Sequence, residues 1–218
     1  MFSPRDWEIR RTIPQPTDIA TVAGLVASST KPLIIAGGGV LYSQAQTALA
    51  RFSDATGIPV AETFGGKGAV QRAAPWALGG IGLEGNPATN RLVAESDLII
   101  SVGTRLTDFA TGSQTMFANP EVRFASINIA ELDAIKQGAA AVVADARLGI
   151  DALAESLGGY RVSGSWADEI AAHKERWAPI RQAALDPDTQ FDKDAAEHAH
   201  LNIPDTDAVI TQGQLIGL

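Results

Sequence analysis

Two glycine-rich segments carry the residue types best suited to binding chemistry, because each one directly follows a short apolar run. Gly37–Gly39 comes after Pro32–Ala36, and Gly103–Arg105 comes after Leu98–Val102. Glycine backbone lets a phosphate approach the start of a helix, where unpaired N–H groups and the helix dipole favour anions. An arginine there can hold the same phosphate through two parallel hydrogen bonds. Two plainer interpretations stay open, because the glycines can serve a tight turn alone and the arginine can pair with Asp108 or another acid.

Other motifs that could do chemistry are incomplete. Gly80–Gly85 matches the dinucleotide-binding pattern GxGxxG. We expect no strand before it and therefore predict a compact loop. Gly66–Gly68 contains a lysine yet lacks the remaining residues of a phosphate-binding loop. His198 and His200 lack a third metal ligand, and the aspartates of 186–194 lack the glycine and glutamate of a calcium loop. The sequence therefore predicts no metal site and no self-contained catalytic set.

The composition excludes several classes of function. The 218 residues include 17 lysines and arginines against 25 aspartates and glutamates, which gives a formal net charge of −8. Nucleic-acid and membrane surfaces need clustered cations, so we expect neither as a partner. The chain has no cysteine, which excludes a disulfide scaffold and a thiol nucleophile. No apolar run approaches roughly 20 residues, the length of a membrane span, and we predict a cytoplasmic protein.

The elements that must position the two glycine-rich segments alternate along the chain. Short apolar strands are expected at residues 33–36, 58–63, 98–102, 123–129 and 141–144. The expected helices include one capped at Thr17–Asp18 that runs to Ser29, one over 43–56 and one over 146–157. Residues 64–85 show no strong periodicity. The alternation predicts an α/β fold with a doubly wound parallel sheet, Rossmann-like, with helices on both faces.

Four segments are expected along the chain. Residues 1–16 carry prolines and are interpreted as an incoming linker, and residues 17–158 as a central Rossmann-like domain. Residues 159–205 follow as a helical and irregular linker. Residues 206–218 begin a capped helix that stops at an apolar residue, which we interpret as the truncated start of a further domain. On this interpretation the chain is the middle piece of a longer protein.

Four segments, in order along the chain, resemble the central domain of thiamine-diphosphate enzymes of the acetolactate synthase and pyruvate oxidase type. They are Lys31–Val40, Gly57–Thr63, Ser96–Arg105 and Ala144–Asp145. The resemblance covers about residues 10–157. It implies a Rossmann-like domain of the fold type known as the DHS-like NAD/FAD-binding fold. Residues 36–43 and 61–68, with the long segment after residue 158, are similar to a hydrolytic branch of this family.

The resemblance implies an enzyme of three domains, of which this chain holds the middle one. The first domain supplies the glutamate that activates thiamine diphosphate, and the last holds Mg²⁺ and the diphosphate through Gly-Asp-Gly and Asn residues. Residues 211–218 are similar to the first helix of that last domain, but no Gly-Asp-Gly triplet occurs in the chain. The implied activity is hydrolysis of a C–C bond of a cyclic dione in inositol catabolism. The implied partners are the missing N- and C-terminal domains and further copies of the enzyme, and the separate chain is expected to be inactive.

In some members of the family the central domain binds FAD or ADP at the strand ends. The resemblance implies equivalent contacts at these positions: Gly37, Gly38, Gly39, Gly103, Thr104, Arg105 and Asp145. The family often has two acids after the next strand, where this chain has Asn128 and Ala130. Without an acid to hold a ribose hydroxyl, we favour a domain with a structural role. Two alternatives stay open: a nucleotide-binding module of the same fold, and the central domain of an acetolactate synthase-like carboligase.

Overall fold

Six parallel strands form the sheet of the computed structural model, which describes residues 10–185. The strands lie in the order β3-β2-β1-β4-β5-β6. In chain order, β1 to β6 are Pro32–Ala36, Val60–Glu62, Ala77–Gly80, Leu98–Val102, Arg123–Asn128 and Ala140–Val143. Every pairing of neighbours is parallel, so all the carboxyl ends lie at one edge. The prediction of a parallel α/β sheet is confirmed.

Helices cover both faces of the sheet. In chain order, α1 to α8 are Pro16–Ala27, Gly38–Tyr42, Gln46–Thr56, Pro87–Glu95, Asp108–Thr111, Glu131–Ala134, Ala146–Leu157 and Gly164–Leu185. One buried cluster joins α1, α3 and α7 to the face that carries Ile34. A second joins α4, α5 and the first turns of α8 to the opposite face, which carries Ile35. Because β1 and β4 are buried on both faces, their sequences are continuous apolar runs.

The chain divides into two compact units. The first, Met1–Ile170, contains the sheet, and the second is Ala171–Leu218. Trp166 lies in the first unit, where it is 1% exposed and its indole N–H donates to the Pro32 carbonyl at 3.0 Å. The core on the sheet therefore includes a residue beyond position 158, while the predicted limits of the domain and of the linker after it stay predictions. Of the second unit, the structure describes only the end of α8.

Two predicted helix starts are wrong. Helix α1 begins at Pro16, without a side-chain cap, and not after a cap at Thr17–Asp18, because the fixed φ of proline suits the first position of a helix. Helix α3 begins at Gln46 rather than at Ser43. Gln44 has a left-handed φ of 54°, which no helix can include. The chain therefore turns sharply between α2 and α3.

An unpredicted strand, β3, lies at one edge of the sheet and pairs in parallel with β2. Two of its four residues are glycines, which have low strand propensity. Gly80–Gly85 therefore does follow a strand, contrary to expectation, and folds into a turn in which the Gly85 N–H donates to the Gly82 carbonyl at 3.0 Å. Because β3 pairs with β2, β2 is not an edge strand, and Pro59 lies directly before its first residue, where a proline interrupts no strand pairing.

Several expectations fall on residues outside the described range. They concern the first part of the linker 1–16, the aspartates of 186–194, the histidines His198 and His200, and the segment 206–218. The end of the predicted linker 159–205 lies there too. Over residues 10–185, no helix is long and apolar enough to cross a membrane.

Candidate functional site

A cleft of about 460 Å³ opens at the carboxyl edge of the sheet, where β1 and β4 end side by side. From β1 the chain continues to β2 on one side, and β4 lies on the other side. Ligands of open parallel sheets bind at such a switch point in the strand order. The volume falls within the range of small-molecule sites, roughly 300–1,000 Å³. Predicted contact residues that line the cleft are Gly38, Gly39, Gly103, Thr104 and Arg105.

The glycines of the two strand ends pack directly against each other. The Gly39 N–H donates to the Gly103 carbonyl at 2.9 Å, and Gly103 has a φ of 58°, which favours glycine. A Cβ at Gly39 would lie 2.6 Å from the Gly103 Cα, and one at Gly37 would lie 2.4 Å from the Gly103 oxygen. The contact between the strand ends requires these glycines with or without a ligand, and nucleotide binding by them stays a prediction.

Arg105 lies at the lip of the cleft with a side chain that is 74% exposed. Its Nε is 3.7 Å from one oxygen of Asp133, and the Lys136 ammonium is 2.8 Å from the other oxygen. Arg105 thus pairs with an acid, as the plainer interpretation held, but the acid is Asp133 of α6. An exposed pair contributes only about 0–1 kcal/mol, so this guanidinium can exchange its partner at little cost.

Asp145, another predicted contact, lies outside the cleft lining and makes structural bonds with both carboxylate oxygens. Its Oδ1 accepts the N–H groups of Arg147 and Leu148 and so caps α7. Its Oδ2 accepts from Arg11 Nη1 at 2.6 Å, and the same nitrogen donates to the Ser43 carbonyl at 2.8 Å. Asp145 therefore ties the segment before α1 to the end of β6. A ligand contact at this residue stays a prediction.

Asn128, at the end of β5, lines the cleft and is 6% exposed. Its Nδ2 donates to the Thr104 carbonyl at 2.9 Å, and its Oδ1 accepts the Ala130 N–H at 3.0 Å. The resemblance to the family placed Asn128 and Ala130 where other members often have acids. The amide joins the end of β5 to the turn that follows β4, which the sequence did not indicate.

Large apolar side chains at the mouth of the cleft were not singled out in the sequence. Tyr42, Phe64 and Phe109 line the cleft and are 87%, 82% and 71% exposed. Ile129, also a lining residue, is 59% exposed. They follow β1, β2, β4 and β5 in turn, so the connection after each of these four strands contributes one. Exposed apolar groups that lie together mark binding surfaces, and a large apolar residue soon after each strand end was the signal for them.

Glu62 was also missed, although it holds one wall of the cleft. Its side chain is 4% exposed, and its Oε2 is 3.7 Å from the Lys67 ammonium. Its Oε1 accepts the N–H groups of Gly68 and Val70 at 2.9 and 3.1 Å. These bonds fix the loop after β2, which brings Phe64 to the cleft. An acid at the end of an apolar strand was the sequence signal for this role.

Among the described residues of the cleft lining, the charged ones are one cation and two acids: Arg105, Glu84 and Asp133. Within the described range, no three histidine or acidic side chains lie close enough together to hold a metal ion. The expectation that this part of the chain binds no metal is a prediction that only a binding experiment can test. What the lining offers chemically is recognition of a small or apolar group, through backbone, one guanidinium and aromatic rings.

Comparison with known proteins gives one family. The family model described as "Thiamine pyrophosphate enzyme, central domain" matches residues 19–153. This range begins in α1, ends in α7 and contains all six strands of the sheet. It also contains every residue of the cleft lining.

The most similar relatives include bacterial proteins with one printed name, "3D-(3,5/4)-trihydroxycyclohexane-1,2-dione hydrolase". Those of Geobacillus thermodenitrificans and Clostridium tetani are 43% identical over 176 residues, which is 81% of this chain and 27% of each relative. The one of Halalkalibacterium halodurans is 39% identical over 181 residues, 83% of this chain and 28% of the relative. The chain thus spans about a quarter of the length of the curated relatives it matches.

Proposed function

The chain belongs to the thiamine pyrophosphate enzymes as a central domain of that family, and from this premise we propose the activity of the whole protein. It is a hydrolase that opens 3D-(3,5/4)-trihydroxycyclohexane-1,2-dione to 5-deoxy-glucuronate, a step of inositol catabolism in the cytoplasm. The observation that carries this proposal is the 43% identity, over 81% of the chain, to relatives with that name. Because the chain spans about a quarter of those relatives, the reaction belongs to a longer protein.

The role of this part of the protein is structural, in our proposal. The two strand ends at the switch point contact each other through glycine backbone. Asn128 and Asp145, which could face a ligand, are committed to bonds within the domain. A domain tied internally in this way can hold the flanking domains at a fixed distance and contribute to contacts between copies of the enzyme.

Thiamine diphosphate and Mg²⁺ do not fit the described residues. Mg²⁺ bound to a diphosphate takes one or two carboxylates from the protein. Of the two acids among the described residues of the cleft lining, Asp133 is paired with Lys136, and Glu84 follows β3 at the far edge of the sheet. Over residues 10–185, Arg105 is the one cationic residue that lines the cleft, and it shares Asp133 with Lys136. We propose that both cofactors are held by domains on either side of this chain, where thiamine diphosphate would supply the C–C cleavage chemistry.

A chimera tests the proposal directly. The part of the Geobacillus thermodenitrificans relative that aligns with residues 10–170 of this chain is removed and replaced by those residues. We expect the chimera to hydrolyse the trihydroxycyclohexanedione in a reaction that depends on thiamine diphosphate and Mg²⁺. The 218-residue chain on its own, assayed in the same mixture, should form no product.

Two controls make the outcome decisive. The chimera must show the oligomeric state and melting temperature of a folded enzyme, and pyruvate is offered as the alternative substrate. A folded chimera without activity on the dione would contradict the proposal. Activity on pyruvate in place of the dione would favour the carboligase alternative.

The cleft supports a second candidate, a nucleotide-binding domain. Its volume of about 460 Å³ and its aromatic mouth are suited to a planar ring. FAD or ADP would bring a ribose and a diphosphate to the same strand ends. The contacts of Asn128 count against this candidate, and they carry an inference of their own.

A further inference from the structure

Asn128 has both ends of its carboxamide in use. The Thr104 carbonyl can only accept and the Ala130 N–H can only donate, so these two partners fix which end of the amide faces which. The distances are 2.9 Å from Nδ2 to the Thr104 oxygen and 3.0 Å from the Ala130 nitrogen to Oδ1. With 6% of its surface exposed, Asn128 keeps these bonds largely out of competition with water.

An aspartate at this position could not form the same pair of bonds. An ionised carboxylate only accepts hydrogen bonds, so one of its oxygens would meet the Thr104 carbonyl oxygen with no proton between them. That contact is repulsive and would turn the carboxylate away from Thr104. A carboxylate at a strand end of this kind is the group that holds ribose hydroxyls in dinucleotide-binding folds. A residue that ties the turn as Asn128 does therefore cannot offer a carboxylate to a ribose.

The turn that Asn128 ties is one that needs support. Gly103 and Leu106 have φ values of 58° and 45°, and a left-handed conformation is unfavourable for leucine. Lys136 supports the same turn, because its ammonium donates to the Arg105 carbonyl at 3.0 Å. The turn after β4 is thus held from the β5 side by a buried amide and an exposed ammonium.

The two acids of the described cleft lining, Asp133 and Glu84, do not replace a ribose-binding carboxylate at position 128. Asp133 is held by Lys136 at 2.8 Å and lies near Arg105. Glu84 follows β3, which is separated from β5 by three strands in the sheet order. An adenosine whose ribose lay at the end of β5 would therefore meet an uncharged amide whose nitrogen and oxygen are each already bonded to backbone, and no carboxylate.

We propose that Asn128 determines the ligand specificity of this cleft. By tying Thr104 to the end of β5 it excludes ribose nucleotides, so ADP and FAD are not ligands of this domain. The proposal is independent of which reaction the whole protein catalyses. It concerns only the described residues around one strand end.

Calorimetric titration of the 218-residue chain with ADP and with FAD tests the proposal. We expect no saturable binding by the native chain up to about 1 mM ligand. The variant Asn128→Asp should show saturable binding below about 1 mM, a gain in affinity of at least about tenfold, which is the size expected of one hydrogen bond to a charged group.

Asn90 offers a matched control. Its Nδ2 donates to the Gly82 carbonyl at 3.0 Å and its Oδ1 accepts the Gly82 N–H at 3.1 Å, so its amide also bridges two backbone groups. Asn90→Asp should lower the melting temperature as Asn128→Asp does, but it should gain no affinity for ADP. This comparison separates a change in the site from a general loss of stability.

Saturable binding of ADP or FAD by the native chain would overturn the proposal, whatever the variants do. Failure of a folded Asn128→Asp to gain affinity would also overturn it, because residue 128 would then not set specificity.

If Asn128→Asp does not fold, Asn128→Ala tests whether the side chain of residue 128 holds the turn after β4. Hydrogen exchange at Arg105 and Leu106 should then speed up at least about tenfold, while Asn90→Ala leaves it unchanged. Equal hydrogen-exchange rates at Arg105 and Leu106 in the two alanine variants would contradict a role of Asn128 in holding this turn.

Discussion

Substitution by alanine should have opposite effects on the free energy of unfolding at Gly39 and at Gly24. A Cβ at Gly39 would lie 2.6 Å from the Gly103 Cα, whereas one at Gly24 in α1 would meet nothing within 4 Å. Gly39→Ala should lower the free energy of unfolding by about 1–3 kcal/mol or more, because backbone must move. Gly24→Ala should raise it by about 0.5–1 kcal/mol through the better helix propensity of alanine. Urea denaturation of both variants measures these changes, and an unchanged Gly39→Ala would contradict the close packing of the strand ends.

Asp145 combines two roles that substitution can separate. Asparagine can still cap α7 but cannot form an ion pair with Arg11, and alanine can do neither. We expect the melting temperature to fall in the order native, Asp145→Asn, Asp145→Ala, with the cap worth about 1 kcal/mol. Arg11→Gln should resemble Asp145→Asn, because it removes the same pair. If Asp145→Ala had the melting temperature of the native protein, the bonds by which Asp145 joins the segment before α1 to the end of β6 would not contribute to stability.

Asp97 holds the connection between α1 and β1. Its carboxylate accepts the N–H groups of Thr30 and Lys31 and the Thr30 hydroxyl, at 2.7–2.9 Å. Partial burial works to raise the pKa of Asp97, but these hydrogen bonds and the charge of Arg123 outweigh it and lower the pKa below its ordinary 3.8. The ionised group therefore stabilises this connection between elements at neutral pH.

The sign of the pH dependence follows from that lowered pKa. The contribution of Asp97 is complete above the unfolded-state value of 3.8 and is lost as the pH falls through the lower folded-state pKa. We expect Asp97→Asn to be less stable at pH 7 and to lose less stability than the native protein between pH 5 and 3. Thr30→Ala, which removes one of the three donors, should fall between the two. Parallel acid unfolding curves for all three proteins would contradict this account.

The first turns of α8 belong to the sheet through Trp166. The Trp166 side chain is 1% exposed, its indole N–H bonds to Pro32, and the Lys31 ammonium lies 5.3 Å from the centre of its ring. Trp166→Ala should cost about 3–5 kcal/mol of unfolding free energy, and Trp166→Phe should cost less because only the hydrogen bond and some packing are lost. Ile180→Ala, at an exposed position of the same helix, should change little. Near-native stability of Trp166→Ala would show that α8 is dispensable for the sheet.

The whole molecule should not respond to the cofactors of its family when it is studied without flanking domains. A ligand that binds only the folded state raises the melting temperature. We expect thiamine diphosphate with Mg²⁺ to leave the melting temperature of the 218-residue chain unchanged, while the chimera with the Geobacillus relative is stabilised. A saturable increase for the separate chain would contradict our placement of the cofactors in other domains.

At this scale, the sequence was sufficient for the elements that local patterns specify. The bounds of β4 and α7 were predicted as observed, and the glycines after β1 and β4 correctly marked the edge where the cleft lies. A fully apolar strand between helices can be satisfied only by burial on both faces. The parallel sheet could therefore be predicted from the residues, and the family from the resemblance of four segments to its central domain.

Only the tertiary structure decided which partners the polar residues of that edge have. The glycine-containing β3 exists because β2 offers it a pairing edge. The Asp145 carboxylate bonds to Arg11, which precedes it by 134 positions, and the Asn128 amide bonds to Thr104, which follows the neighbouring strand β4. The propensity to form a helix or a strand depends on residues that are close in sequence. These contacts instead depend on how distant segments meet once the sheet has formed. The sequence by itself determined where a ligand site could be, and the fold determined which side chains are left free to make one.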